Sequence, residues 1–203
     1  TKSLPSLYGL SKETIEDKIS FLISLGYTRP DVIKMTKFLP SLYGLSKENI
    51  ENKISFLISL GYTKLDVIKM TKLLPTLYCY SKKTIEEKIS FLINLGYIKA
   101  DVIKMTKSFP PLYSYSKKTI EEKISFLISL GYTKPDVIKM TKSSTSLYSY
   151  SKKTIEDKIS FLISLGYTKL DVIKMTKSST SLYCYSKENI ENKISFLISL
   201  GYT

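Results

Sequence analysis

The chain has 203 residues, and 43% of them are hydrophobic, a fraction that supports a packed interior and excludes a disordered chain. Its 31 Lys and Arg residues outnumber its 18 Asp and Glu residues, so the net charge of +13 favours a polyanionic partner, either nucleic acid or an acidic membrane face. The absence of His excludes a typical zinc site, and Cys79 and Cys184 lie three repeats apart, too far for a disulfide in a stacked array.

The sequence repeats itself every 35 residues. The block LPSLYGLSK begins at Leu4 and again at Leu39, and related blocks begin at Leu74, Phe109, Ser144 and Ser179 without insertion or deletion. We therefore predict one array over 1–203, with repeats at 3–37, 38–72, 73–107, 108–142, 143–177 and, incomplete, 178–203.

The first predicted element of each repeat is a helix over about residues 12–25. Ser11 is a favourable N-cap, and Ile15, Ile19 and Leu22 form an apolar stripe at helical spacing. Gly26 is expected to end this helix in the left-handed conformation.

A second, shorter helix is predicted to follow. Thr28 and Asp31 have the spacing of a capping pair, and Val32, Ile33 and Met35 supply the apolar face. We expect proline at position 40 to end this helix and the next residues to form a 3₁₀ turn. Because one unit cannot bury its apolar face alone, the sequence predicts an all-α solenoid of stacked repeats.

The repeat resembles that of the mTERF (mitochondrial transcription termination factor) family. The resemblance covers the whole chain and is carried by proline, by the helix end Leu-Gly-Tyr and by the acidic cap after it. In the first copy the matching residues are Ile15, Glu16, Lys18, Ile19, Phe21, Leu22, Leu25, Gly26, Tyr27, Asp31, Val32, Ile33, Lys34 and Met35.

This resemblance implies helix–helix–3₁₀ units in a curved, left-handed superhelix whose basic concave face holds double-stranded DNA. It also implies a role in transcription regulation or termination. The chain departs from the pattern where Thr145 and Thr180 replace the proline, so the second helices there are expected to end differently. Arg29 is the only arginine, which counts against guanine reading, because Arg is the commonest reader of guanine.

A polar stripe on the first helix carries most of the variation between copies of that helix. Its side chains are types that can read base edges, which favours a role in nucleotide discrimination. Drift of a solvated surface is the alternative, since the second and sixth copies share a whole duplicated block. The candidate base-reading residues are Glu13, Asp17, Glu48, Asn52, Lys83, Glu87, Lys118, Glu122, Lys153, Asp157, Glu188 and Asn192.

Constant lysines are the candidate phosphate ligands. One row lies in the first helical turn, where a cation opposes the helix dipole and so suggests a role outside helix stability. The members of this row are Lys12, Lys47, Lys82, Lys117, Lys152 and Lys187. The members of a second row, interpreted alternatively as a solvated face, are Lys18, Lys53, Lys88, Lys123, Lys158 and Lys193. Lys34 and Lys37 are weaker candidates, because the dipole favours them where they are.

Tyr8 and Tyr27 also recur in every copy. Base stacking is possible for such residues. The favoured interpretation is packing at a helix end, with the hydroxyl in solvent.

The sequence thus favours a non-enzymatic nucleic-acid-binding protein, with no metal or cofactor and no membrane span. A protein-interaction scaffold and a single-stranded-RNA-binding repeat protein, such as a pentatricopeptide array, remain the alternatives. An enzyme is disfavoured because the chain has no His to activate Cys79 or Cys184 and no glycine-rich phosphate loop. The sixth repeat is expected to leave Tyr202 and an apolar helix face open, which favours end-to-end self-association.

Overall fold

The computed structural model describes residues 9–202, and all regular elements in that range are helical. The repeat unit is a long first helix, a short second helix and a 3₁₀ segment, as predicted, and the incomplete sixth repeat has no second helix among the described residues. The first helices are α1 (Lys12–Leu25), α3 (Lys47–Leu60), α5 (Lys82–Leu95), α7 (Lys117–Ser129), α9 (Lys152–Ser164) and α11 (Lys187–Ser199). The second helices are α2 (Arg29–Phe38), α4 (Lys64–Leu73), α6 (Lys99–Ser108), α8 (Lys134–Ser143) and α10 (Lys169–Ser178). The 3₁₀ segments are Pro40–Gly44, Pro75–Tyr78, Pro110–Tyr113, Thr145–Ser149 and Thr180–Tyr183.

The chain divides into two compact units, the first ending at Tyr115 and the second beginning at Ser116. Helices α1–α6 belong to the first unit and α7–α11 to the second. Within each unit, a second helix packs on the first helix before it and on the 3₁₀ segment after it. In the first unit α4 also packs on both α2 and α6, so neighbouring repeats bury each other's second helices.

Side-chain caps fix the start of almost every described helix. The Ser11 hydroxyl accepts a hydrogen bond from the backbone N–H of Thr14 at 3.0 Å, as predicted for an N-cap. Thr28 and Asp31 form a reciprocal capping box at the start of α2. Helix α6 is the exception, because its N-cap is Ile98, which has no side chain able to accept a hydrogen bond.

Glycine is required at the junction between the two helices of a repeat. Gly26 has a φ of 116°, in the left-handed region that other residues rarely adopt. A Cβ atom there would also lie only 3.0 Å from Cδ1 of Ile68, and one at Gly131 would lie 2.9 Å from Cδ1 of Ile173. The glycine therefore turns the chain and lets the next repeat approach closely.

Helix α2 ends just before Pro40, as predicted, but proline is not required for this end. Helices α8 and α10 end at the same repeat position as α6, although Thr145 and Thr180 replace the proline of the earlier copies. Each threonine is only 5% exposed, so it fills the buried position that proline occupies elsewhere. The expectation that these helices end differently is therefore wrong.

The buried core follows the predicted apolar stripes, with one correction. Leu22 and Val32 are fully buried, and Met35 is 1% exposed. Ile33, predicted to be part of the core face, is 42% exposed, whereas its equivalent Ile68 is buried. The reason is that Ile68 packs at Gly26 of the previous repeat, and the described residues include no previous repeat for Ile33.

A chain of buried hydroxyl groups joins successive repeats. The Thr71 hydroxyl donates to the carbonyl of Val67 at 2.8 Å, so it must accept its 2.5 Å hydrogen bond from the Tyr27 hydroxyl. The Tyr27 oxygen in turn accepts from the Tyr78 hydroxyl at 2.6 Å. Every group in this chain is satisfied, which is what burial of polar atoms requires.

The same arrangement recurs wherever both partners lie in one unit. Tyr62 bonds Thr106 at 2.5 Å and Tyr113 at 2.7 Å, and Tyr132 bonds Thr176 and Tyr183 at the same two distances. The prediction that Tyr27 packs at a helix end is confirmed, but the prediction that its hydroxyl stays in solvent is wrong. Burial raises the pKa of Tyr27 and of Tyr62. Tyr8 lies outside the described residues.

Ion pairs add a second link between neighbouring repeats. The Lys72 ammonium lies 2.6 Å from the carboxylate of Asp31, the residue that caps α2. Lys107 pairs with Asp66, and Lys177 with Asp136, both at 3.0 Å. Lysines equivalent to Lys37 therefore bridge to the acidic cap of the preceding repeat. This contact gives them a structural role and leaves them weaker as phosphate ligands.

The last described repeat leaves apolar side chains uncovered, as expected. Phe196 is 61% exposed, Ile198 63%, Leu200 58% and Tyr202 65%. Tyr62 and Phe161 are buried at the repeat positions of Tyr202 and Phe196, whereas Ile23, at the position of Ile198, is exposed in its own repeat too. Self-association through them stays a prediction.

Replacing Tyr62 by Phe should lower the free energy of unfolding by about 1–3 kcal/mol, because the buried Tyr113 hydroxyl would lose its acceptor. Urea denaturation followed by circular dichroism measures the change. Tyr202→Phe is the matched control, since Tyr202 has the same repeat position but is mostly exposed. It should change stability by less than about 0.5 kcal/mol. Equal effects of the two exchanges would show that the hydroxyl chain does not stabilise the joint.

The ion pairs predict a loss of stability in acid. Hydrogen bonds from Lys72 and Thr28 lower the pKa of Asp31 from 3.8 to about 2, and the hydrogen bond from Thr133 does the same for Asp136. A carboxyl group whose pKa is lower in the folded than in the unfolded chain stabilises the fold at pH values above its ordinary pKa of 3.8. This contribution is lost as the pH falls from 3.8 through about 2.

The double variant Asp31→Asn, Asp136→Asn should therefore be less stable than the parent at pH 5, by about 0.5–1 kcal/mol per site. The difference should shrink as the pH approaches 2, in urea titrations at each pH. Asp17→Asn combined with Asp157→Asn, at two exposed positions, controls for the same change in net charge. A difference that stays constant from pH 5 to pH 2 would contradict this account.

Candidate nucleic-acid interface

The first-turn lysines lie over aromatic rings of the preceding repeat. The ammonium of Lys47 is 5.6 Å from the centre of the Phe21 ring. The same contact places Lys82 5.5 Å from Phe56, Lys152 5.6 Å from Phe126 and Lys187 5.4 Å from Phe161. A cation is attracted to the face of an aromatic ring, so this contact offsets the unfavourable position of the lysine in the helix dipole.

Four members of the second lysine row are buried, so its interpretation as a solvated face is wrong for them. Lys18 is 7% exposed, and its ammonium donates a hydrogen bond to the backbone carbonyl of Leu45 in the next repeat. Equivalent bonds join Lys53 to Tyr80, Lys88 to Tyr115, Lys123 to Tyr150 and Lys158 to Tyr185. An ammonium has three N–H donors, so one carbonyl does not exhaust it.

The last member of this row shows what happens when the described chain offers no further repeat. Lys193 is exposed, and its ammonium lies 4.1 Å from the centre of the Tyr185 ring. The carbonyl bond of the other members thus depends on a following repeat. The second row is therefore a product of stacking.

The two lysine rows meet at the joints between repeats. Burial lowers the pKa of Lys18, and the charge of Lys47 lowers it further. The same two causes lower the pKa of Lys53, Lys123 and Lys158, where the second charge is that of Lys82, Lys152 and Lys187. Each joint therefore holds two mutually repelling ammonium groups, and an anion placed beside them would relieve the repulsion.

One such joint, between α3 and α5, carries an open cavity of about 450 Å³. Lys53 and Lys82 supply its positive charge, and the amides of Asn49 and Asn52 supply donors and acceptors. Leu45, Tyr78 and Cys79 complete the wall. The lining contains two cations, two amides and no carboxylate, which is the composition of an anion site.

A second cavity of about 440 Å³ lies beside α7 and the start of α9. Its lining includes Lys118 and Lys152, but also the carboxylates of Glu121 and Glu122. Ser125, Phe126 and Ser129 complete the wall. Because the two carboxylates oppose the two ammonium groups, this cavity attracts an anion less strongly than the first.

The variable polar stripe lies on the exposed surface of the first helices. Lys83 and Glu87 form a pair at 3.9 Å, and Lys118 and Glu122 form another, all with side chains more than half exposed. Such pairs are weak, so a ligand can compete with them. Two residues of the stripe line the cavities, Asn52 the first and Glu122 the second. In each cavity the stripe residue lies together with at least one lysine of the two rows.

Three features of the site were missed in the sequence. The phenylalanines that seat the first-turn lysines recur in every copy, and that constancy was the available signal. Asn49 varies with Thr at the same position, as the stripe residues do, but lies outside their register. Cys79 gave no signal, because its place in the cavity depends on packing between repeats.

Comparison with protein families returns a match to the mTERF family model over residues 1–94 and again over 77–200, which together span nearly the whole chain. A search of curated proteins finds no match. Among the described residues, no helix combines the length and apolar character needed to cross a membrane.

Proposed function

The chain belongs to the mTERF family, whose members are non-enzymatic nucleic-acid binders, and we propose that it binds double-stranded DNA through the paired lysines at its repeat joints. The observation that carries this proposal is the meeting of two lysine rows without a neutralising acid between α3 and α5. Pairs of ammonium groups that recur from joint to joint can bind successive phosphates of a DNA backbone. Within the role implied by the family, this binding serves transcription regulation or termination.

Phosphate contacts supply affinity without sequence information. The +13 charge adds long-range attraction of the same kind. Guanine reading by arginine is confined to one repeat at most, because Arg29 is the only arginine. We therefore expect binding that depends steeply on salt and weakly on base sequence.

The variable stripe supplies whatever sequence preference the protein has. Its support is the position of Asn52, which faces the same cavity as Lys53 and Lys82 and can bond a base edge beside a held phosphate. Asn52→Glu should shift the preference among duplexes of different sequence. An unchanged preference would assign the stripe to surface drift.

Binding to labelled double-stranded DNA, single-stranded DNA and single-stranded RNA over a salt series tests the proposal. The duplex should bind most tightly, with an affinity that falls linearly on a log–log plot against salt. Lys47→Gln combined with Lys82→Gln should weaken binding to the duplex. The steepness of the plot of log affinity against log salt should fall by about two, one for each lysine removed.

The matched control is Lys34→Gln combined with Lys69→Gln, which removes the same charge from exposed positions on the second helices. It should reduce the slope much less. The absence of binding to all three ligands at low salt would exclude the proposal and favour a protein partner. If both double variants lost the same amount of affinity for DNA, the positive charge would act without a defined binding site.

A further inference from the structure

The two cysteines occupy the same position in their repeats but face joints of different charge. Both thiols are exposed. Cys79 lines the cavity that contains Lys53 and Lys82. Cys184 lies near Lys158, and the charge of Lys187 also acts on Lys158. Each thiol thus lies beside one lysine pair.

The residues around the two lysine pairs differ at the stripe position. Asn52 lines the cavity of the first joint, whereas Asp157 has the same repeat position in the second. Asn49 is likewise replaced by Thr154. The second joint therefore carries a carboxylate where the first carries an amide. The cavity beside α7 has the same character, since it contains Glu122 at this position.

The exchange of an amide for a carboxylate at this position determines whether the lysine pair can bind an anion. A carboxylate next to two ammonium groups neutralises part of their charge and repels a second anion. An amide leaves both charges available and adds an N–H donor for an oxyanion. The contact of Lys82 with the Phe56 ring and the bond from Lys53 to the Tyr80 carbonyl hold both lysines in place before any ligand arrives.

We propose that the cavity lined by Asn49, Asn52, Lys53 and Lys82 is a phosphate-binding site, and that the joints with an acidic residue at the stripe position are not. The ligand class is a phosphate group, either free inorganic phosphate or a phosphodiester of nucleic acid. The second source rests on the proposed function. Nucleic acid is then anchored at the amide-containing joint and held more loosely at the acidic ones.

The two native thiols report on occupancy without any substitution, because a bound ligand slows their labelling. The parent chain is labelled with a maleimide in increasing inorganic phosphate, with sodium chloride at matched ionic strength as the control, and mass spectrometry follows Cys79 and Cys184 separately. Phosphate at ten times its Kd should slow labelling of Cys79 about tenfold, because only about a tenth of the sites stay empty. Cys184 should be slowed much less.

Exchanging the stripe residues between the two joints should exchange the degree to which phosphate protects each thiol from the maleimide. Asn52→Asp should raise the Kd for phosphate at Cys79 about fivefold, the factor expected from a unit charge roughly 4 Å away in a water-like dielectric. Asp157→Asn should confer protection on Cys184. Both positions are exposed, so neither exchange disturbs the packed joint.

The outcomes separate this inference from the proposed function. Equal protection of the two thiols by phosphate, or protection that ignores both exchanges, would overturn the phosphate site. If labelled duplex DNA binds by fluorescence anisotropy but protects both thiols equally, the uneven anchoring is wrong and DNA binding stands. If phosphate protects Cys79 selectively while the duplex does not bind, the phosphate site stands and the DNA proposal fails.

Discussion

Contact between neighbouring repeats is the constraint on which the fold and the site both depend. One 35-residue unit has an apolar face that only its neighbour can cover. The buried hydroxyl chain through Tyr27, Thr71 and Tyr78 makes that contact specific, because its polar groups are satisfied only when three successive repeats are in register. Sliding one repeat along the next would leave buried hydroxyls without partners, which is costly.

The same contact concentrates positive charge. A buried lysine without an acidic partner is normally unfavourable. Here a backbone carbonyl takes one donor of Lys18, and the Phe21 ring lies 6.0 Å from the same ammonium and 5.6 Å from that of Lys47. The protein therefore holds two like charges together by contacts that leave them positive. Under the proposed function a polyanion completes such a joint, so the packing that stabilises the fold would also prepare the site.

Local features were predictable from the sequence, and contacts between repeats were not. The repeat period, the Ser11 cap, the Thr28–Asp31 capping box and the glycine turn at Gly26 follow from spacing within one copy, and the structure has them all. The environments of Lys18 and of the Tyr27 hydroxyl were predicted wrongly because their partners lie 27 and 44 residues away. Periodicity shows which face of a helix is apolar, but it does not show which side chains of the next repeat meet it.

Mapping of lysine reactivity in the presence of duplex DNA tests the central claim most directly. The chain would be acetylated with and without DNA, and the protection of each lysine read by mass spectrometry. The account predicts that DNA protects Lys47, Lys82, Lys152 and Lys187, at the starts of the first helices, and leaves Lys34 and Lys69 on the second helices reactive. Protection confined to the second helices, with the first-turn row unchanged, would contradict it.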